Sequence, residues 1–130
     1  MPNFSAESEA ILCTCDCRLV EIMRTVIQFF DIKVLHGYRD EVSQNKAYAS
    51  GNSKLKYPNS KHNTKPSLAI DIAPYPVNFN HPNDFIYLAG HVMMTAHLLG
   101  YNIRWGYDWN GNNSTADERF ADMGHFEIVG

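Results

Sequence analysis

Leu68-Ala69-Ile70-Asp71-Ile72-Ala73 is the stretch of sequence that decides the fold. Its residues are nearly all apolar, which is typical of a buried strand, and Pro74 and Pro76 end it. Asp71 lies within this apolar run, where an unpaired buried carboxylate costs several kcal/mol. A bound divalent metal ion would supply the missing positive partner. The stretch therefore predicts a strand whose single acid lies beside a metal ion.

Two longer stretches, one on each side of this strand, repeat apolar residues at three- and four-residue steps, as helices do. The first runs from Leu12 to Phe30. The second is capped by Asn83 or Asp84 and continues to Leu99, where Gly100 stops it. A shorter polar helix is expected from Asp40 to Ala49.

Three further stretches predict strands: Ile32 to His36, Tyr101 to Trp105, and His125 to Val129. Polar loops are expected at 52–67 and at 108–118. A few short strands preceded and interrupted by helices indicate an α+β fold, with a small, mostly antiparallel sheet flanked by helices.

The chain has 130 residues, of which 45% are hydrophobic, so it can bury one core. We expect residues 1–130 to form a single domain, with no separate appended binding domain. The net charge of −3 and the lack of a basic run exclude a typical nucleic-acid binder. No stretch approaches the roughly 20 apolar residues of a membrane-spanning helix. The N-terminus lacks the form of a secretory signal, so cytoplasmic synthesis without membrane insertion is expected.

Cys13, Cys15 and Cys17 are the three cysteines of the chain. Three thiols cannot complete a four-cysteine zinc site, so we interpret them as structural or incidental residues.

Three separated residues predict the metal centre. His62, Asp71 and His125 offer two imidazoles and one carboxylate, and Asp122 is a spare acid close to the last histidine. Catalytic zinc usually takes three such ligands and keeps a fourth position for water, whereas structural zinc prefers four ligands rich in cysteine. The pattern therefore predicts one catalytic Zn²⁺ ion. The residue types favour zinc, although affinity order alone does not choose the metal.

The same residues carry a resemblance to a known family. Ser60-Lys61-His62, Ala69-Ile70-Asp71 and Asp122-Met123-Gly124-His125 resemble the motifs of the LAS-type zinc peptidases. This family includes D-alanyl-D-alanine carboxypeptidases and phage L-alanyl-D-glutamate endolysins. Gly37-Tyr38-Arg39 with Gln44, Arg104 to Trp109, and Phe120 to Glu127 are also similar, and the phage members are the most similar. Asp71 follows His62 by nine positions, where many relatives have seven.

The resemblance implies a hedgehog/D-Ala-D-Ala-peptidase-like fold and one role for each matching residue. Asp122 would take a proton from the attacking water and pass it to the leaving amine. Arg39 would stabilise the oxyanion or a substrate carboxylate. Four other residues would support the ligands or contact the substrate: Ser60, Gln44, Trp105 and Asp108.

The leading hypothesis is a zinc metallopeptidase that hydrolyses the peptidoglycan stem peptide. The L-alanyl-D-glutamate bond is the expected target, cut by a monomeric phage endolysin that reaches the wall after release across the inner membrane. The first alternative is a D-alanyl-D-alanine carboxypeptidase. The second is a non-catalytic zinc-containing binding module with the same fold. The third is a metal-free glycosidase that would use Asp71 and Asp122.

Other polar residues are expected to have no part in the chemistry. His36, His81, His91 and His97 have no carboxylate at ligand spacing, so we interpret them as solvated or structural histidines. Glu127 follows His125 by two positions and would share its face of a strand, so a supporting role is possible for it.

Overall fold

A four-stranded antiparallel sheet, in the order β1-β2-β4-β3, forms the centre of the protein. The structure is a computed structural model that describes residues 2–116 and 122–130. The elements are α1 Ala6–Leu12, α2 Cys17–Val26, β1 Ile32–His36, α3 Glu41–Ala49, a 3-10 helix Lys61–Asn63, β2 Ala69–Pro74, α4 Pro82–Leu99, β3 Ile103–Gly106 and β4 Asp122–Ile128. This arrangement confirms the predicted α+β class and the antiparallel sheet. Within the described residues, no helix combines the length and apolar character needed to cross a bilayer.

The predicted strand around Asp71 is β2, and it is a central strand. All six of its residues are buried, because β1 and β4 pair with its two edges. Helix α4 packs on β2, β3 and β4, and α2 packs on α4. The fully buried side chains between these layers include Leu19, Ile22, Met23, Val26, Ile70, Ile72, Val92 and Phe126.

The single helix predicted from Leu12 to Phe30 is wrong, because the chain forms two helices with a break at 13–16. The Thr14 hydroxyl donates to the Ile11 carbonyl at 2.6 Å, and Asp16 caps α2 by accepting from the Arg18 backbone N–H at 2.9 Å. Short polar side chains that bond to nearby backbone compete with helix continuation in this way. The backbone of the break then bonds to Ser67 in both directions. The Thr14 carbonyl accepts from the Ser67 N–H at 2.9 Å, and the Asp16 N–H donates to the Ser67 carbonyl at 2.8 Å.

The start of α4 also differs from the prediction. The helix begins at Pro82 with His81 as its N-cap, and neither Asn83 nor Asp84 caps it. Proline suits the first helical position, because its missing N–H would have no partner there. The predicted stop at Gly100 is confirmed, since this residue adopts a left-handed φ of 81°.

Most strand boundaries shift by a few residues from their predicted positions. β3 covers Ile103–Gly106 rather than Tyr101 to Trp105. β4 begins at Asp122, three residues before the predicted His125, so the proposed base and the proposed ligand share one strand. Phe120 and the end of the loop predicted at 108–118 lie outside the described residues.

Gly124 marks a close approach between β4 and β2. A Cβ atom at this position would collide with the backbone oxygen of Ile72. Only glycine lets the strands pair at this distance, so this residue helps to hold His125 beside Asp71.

We expect Gly124→Ala to lower the free energy of unfolding by about 1–3 kcal/mol, the usual cost of overpacking. Gly90→Ala is the matched control, because it sits inside α4 and a Cβ atom added there would meet nothing within 4 Å. That change should stabilise the protein by about 0.5–1 kcal/mol through helix propensity. Urea denaturation of both variants checks the pair, and equal stabilities would contradict the close approach.

Candidate metal centre

Three buried side chains converge at one point of the sheet. The closest nitrogens of His62 and His125 lie 3.4 Å apart, as Nε2 and Nδ1. Asp71 Oδ2 lies 3.4 Å from His62 Nε2, and Asp71 Oδ1 lies 3.0 Å from His125 Nδ1. The structure thus brings together all three residues that the sequence proposed as metal ligands.

Local structure explains how the three residues meet. The register of β2 with β4 pairs Asp71 directly with His125. His62 lies on the 3-10 helix, whose N-cap Ser60 accepts from the His62 backbone N–H at 3.2 Å. The backbone of Arg39 donates to the His62 carbonyl at 2.7 Å and ties this turn to the end of β1. The spacing of nine positions between His62 and Asp71 therefore still lets the two side chains meet.

The geometry of the three donors fits a zinc ion. Zinc with bonds of about 2.0–2.1 Å in a tetrahedral site separates its donor atoms by roughly 3.4 Å. The separations of 3.0–3.4 Å in this cluster match that value. Two imidazoles and one carboxylate are a donor set that catalytic zinc accepts, and they leave a fourth position for water. His62, Asp71 and His125 are thus able to hold one divalent metal ion.

The remaining ring nitrogens of both histidines have fixed partners. His62 Nδ1 lies 2.8 Å from the Gly37 carbonyl, and His125 Nε2 lies 2.8 Å from Glu127 Oε1. An acceptor on the outer nitrogen fixes the tautomer and leaves the inner nitrogen free to bind metal. Glu127 is held in turn by Arg104 at 2.8 Å and Lys61 at 3.4 Å.

Two further residues, Arg39 and His36, also contact the carboxylate of Asp71. Its Oδ2 accepts from Arg39 Nη2 at 3.1 Å and lies 3.1 Å from His36 Nδ1. The Arg39 side chain is mostly buried, whereas that of His36 is half-exposed. These contacts orient the carboxylate so that Oδ1 faces His125.

Hydrogen bonds and charges within this cluster shift the pKa values of its members. Burial alone would raise the pKa of Asp71, but hydrogen bonds from His125, His36 and His62 outweigh it and hold that pKa well below 3.8. Burial alone would lower the pKa of His125, but hydrogen bonds to Asp71 and Glu127 raise it to about 9. Burial opposes ionisation of Glu127 as well, yet His125 and Arg104 lower its pKa to about 2. Without metal, His125 is thus the cation of the centre.

Asp122 lies beside this cluster with no short hydrogen bond of its own to the three residues. Its Oδ2 is 3.9 Å from His125 Nδ1, and its side chain is 40% exposed. Burial raises the pKa of Asp122, and the nearby charge of Asp71 adds to the increase. A carboxylate with a raised pKa accepts a proton more readily near neutral pH, so the position suits a general base.

A cavity of about 480 Å³ opens in front of the cluster. The three ligand candidates, Asp122 and Glu127 line it. We call it the basic cavity, because four basic side chains also line it: Arg39, Lys54, Lys61 and Arg104. Trp109 forms part of its wall, with the indole 5.5 Å from the His125 ring.

The four predicted supporting residues have different positions. Ser60 caps the turn of His62. Gln44 is fully buried and accepts from Arg39 Nη1 at 3.4 Å, while its amide nitrogen donates to the Leu55 carbonyl at 2.7 Å. Trp105 and Asp108 lie away from the basic cavity. The indole of Trp105 donates to Met123 O at 2.8 Å inside the core, and Asp108 accepts backbone N–H groups of Asn112 and Asn113.

Sequence reasoning missed the role of His36 beside Asp71 and of Arg104 and Lys61 beside Glu127. His36 is half-exposed, and its Nδ1 lies 3.1 Å from Asp71 Oδ2, a carboxylate contact that the sequence did not predict. No spacing rule shows this contact, because a register shift between Val34 and His36 places His36 opposite Asp71. For Glu127, the signal was its position two residues after His125 on one strand.

Comparisons with known proteins identify the family and the fold of the chain. The sequence model of one family, phage L-alanyl-D-glutamate peptidase, matches residues 2–129. The L-alanyl-D-glutamate peptidase of Escherichia phage T5 is 31% identical over 136 residues, an alignment that covers 98% of each chain. The crystal structure of the Serratia marcescens L-Ala D-Glu endopeptidase ChiX matches with a TM-score of 0.74 and 21% identity, over 98% of this chain and 90% of that chain. At this identity, the structural match shows a shared fold.

We expect the apparent affinity for zinc to rise with pH between about 6.5 and 8. The proton on His125, whose pKa is about 9 without metal, must leave before Nδ1 can bind. Displacement of one proton corresponds to about a tenfold gain per pH unit. Competition with a zinc-binding dye at several pH values measures the slope, and an affinity independent of pH would contradict the role of His125.

Glu127→Ala should weaken zinc binding by about 10- to 100-fold, because His125 loses the partner that orients it. Glu127→Gln, which keeps an acceptor oxygen, should lose less. Glu41→Gln on the exposed first turn of α3 is the charge-matched control and should bind zinc like the parent protein. Equal affinities of all four proteins would show that Glu127 does not position the ligand.

Proposed function

Because this chain belongs to the phage L-alanyl-D-glutamate peptidase family, we propose that it uses one zinc ion to cut the L-alanyl-D-glutamate bond of the peptidoglycan stem peptide. The membership confirms the predicted family and the prediction of an endolysin-type peptidase. The identity of the metal, the roles of the site residues and the route to the wall belong to the proposal.

One observation carries the zinc proposal. His62 Nε2, Asp71 and His125 Nδ1 lie 3.0–3.4 Å apart, and the outer nitrogens of both histidines contact acceptors. Both rings thus turn their inner nitrogens toward the Asp71 carboxylate, where one metal ion can bind all three residues. When bound there, zinc lowers the pKa of a water molecule and polarises the substrate carbonyl.

The residues of the chain supply the rest of the chemistry. Asp122 accepts a proton from the attacking water and returns it to the leaving amine, for which its raised pKa suits it. Arg39 lines the basic cavity and can donate to the carbonyl oxygen as negative charge develops there, while its Nη2 keeps Asp71 in place. Gln44 and Ser60 keep Arg39 and His62 in position.

The other hypotheses account for fewer observations. A glycosidase would need Asp71 as an accessible acid or nucleophile, but its carboxylate is buried and contacts three histidines and Arg39. A non-catalytic module would have no use for Asp122 beside the cluster. The carboxypeptidase alternative releases a terminal D-alanine, whereas the matching family is named for an internal bond.

The biological setting follows from the same family. We propose that residues 1–130 act as one catalytic domain and as a monomer, with peptidoglycan as the partner and no role for nucleic acid. Synthesis would take place in the cytoplasm of the infected host. The enzyme would then reach the wall after release across the inner membrane.

Asp122→Asn should lower kcat by about 10²- to 10⁴-fold, because the base is lost. The bound zinc should remain, because Asp122 is not one of the three ligand candidates. Asp84→Asn on the exposed first turn of α4 is the matched control and should retain activity. Mass spectrometry of digested sacculi measures cleavage, and elemental analysis measures the metal.

New D-glutamate amino ends are the expected product of the parent enzyme. Release of free D-alanine instead would assign the chain to the carboxypeptidases. Full activity of Asp122→Asn would refute the proposed base, and activity that survives complete chelation would refute the proposed zinc.

A further inference from the structure

A second cavity, of about 400 Å³, adjoins the basic cavity on the other side of Asp71. We call it the apolar cavity, because six of its lining residues are apolar: Leu35, Ile72, Phe79, Pro82, Phe85 and Met123. Arg39, Asn52, Asp71 and Asp122 line both cavities. The two cavities therefore form one cleft whose middle is the proposed catalytic centre.

The two arms of this cleft differ in charge. Apart from the shared residues, the described lining of the basic cavity has three basic side chains, Lys54, Lys61 and Arg104, and one acid, Glu127, which Lys61 and Arg104 contact. The apolar cavity adds no acid or permanent base of its own, and His36 is its one ionisable residue among those described. The two arms thus offer different environments to the two ends of a substrate.

The apolar cavity also has an exposed aromatic rim. The Phe79 side chain is 69% exposed and stacks on buried Phe85, with ring centroids 5.6 Å apart. The Phe79 ring therefore extends the apolar wall of this cavity outward and gives a ligand an aromatic face to pack against.

The proposed substrate is asymmetric in the same sense. On the amino side of the scissile bond, L-alanine carries a methyl group and an acylated amine. On the carboxyl side, D-glutamate keeps a free carboxylate. A peptide that crosses the centre must place one of these ends in each arm, since Asp71 and Asp122 lie at the junction.

We propose that the D-glutamate side binds in the basic cavity and that the acylated L-alanine side binds in the apolar cavity, so that Lys54 and Phe79 determine specificity. This inference rests on the proposed function. Lys54 is the residue to test, because Lys61 and Arg104 both contact Glu127 and changing them would disturb His125.

The test compares stem peptides that carry either free D-glutamate or its α-amide, D-isoglutamine. The parent enzyme should cleave the free acid with a higher kcat/KM. Lys54→Gln should reduce this preference by about two- to fivefold, the range of an exposed ion pair, and Lys54→Glu should reduce it further. Lys46→Gln, on exposed helix α3, changes the net charge equally and should leave the preference unchanged.

A second comparison tests the other arm. Phe79→Ala should lower kcat/KM about three- to tenfold for peptides whose alanine amine is acylated by an N-acetylmuramoyl group. It should have little effect on peptides with a free alanine amine, and none on the acid-to-amide preference.

The outcomes separate the orientation from the function. An unchanged acid-to-amide preference in both Lys54 variants, with the L-alanyl-D-glutamate bond still cut, would overturn the orientation alone. If Phe79→Ala altered the acid-to-amide preference and the Lys54 variants altered the response to acylation of the alanine amine, the substrate would bind in the opposite direction. Cleavage of neither peptide at this bond by the parent enzyme would refute the proposed function itself.

Discussion

The buried carboxylate of Asp71 is the constraint on which the rest of the structure depends. It lies on a central strand, and four side chains bring hydrogen-bond donors or positive charge to it: His36, Arg39, His62 and His125. An unpaired charge there would destabilise the sheet by several kcal/mol. The turn that carries His62, the end of β1 and the register of β4 therefore all converge on one acid, and the candidate metal centre is the result.

The sequence predicted the parts of the fold that have strong local patterns. The apolar run of β2, the periodicity of α4 with Gly100 as its stop, and the strand β1 all lie close to their predicted positions. The break between α1 and α2 was missed, because the apolar spacing continues across it. Local bonds of Thr14 and Asp16 stabilise the break, together with backbone contacts to Ser67, more than 50 positions away in the chain.

The prediction of the candidate site shows the same division. His62, Asp71 and His125 could be proposed from residue type and from family motifs, and the structure brings them together. The surrounding residues depend on register and rotamer. His36 reaches Asp71 only because β1 is irregular near its end, and Trp109 rather than Trp105 faces the cavity. Trp105 and Trp109 are only four positions apart in the sequence, whereas Trp105 packs in the core on β3 and Trp109 lines the basic cavity.

Strand β4 carries the proposed base Asp122, the proposed ligand His125, and Glu127, whose carboxylate contacts the outer nitrogen of His125. Slippage of this strand by one residue would move His125 and Glu127 to the opposite face together. A mispaired sheet would thus lose one of the three proposed ligands together with the residue that orients it, and only His62 and Asp71 would remain. A bound ion stabilises only the form that binds it, so the cofactor would also act as a selector of the correct strand pairing during maturation.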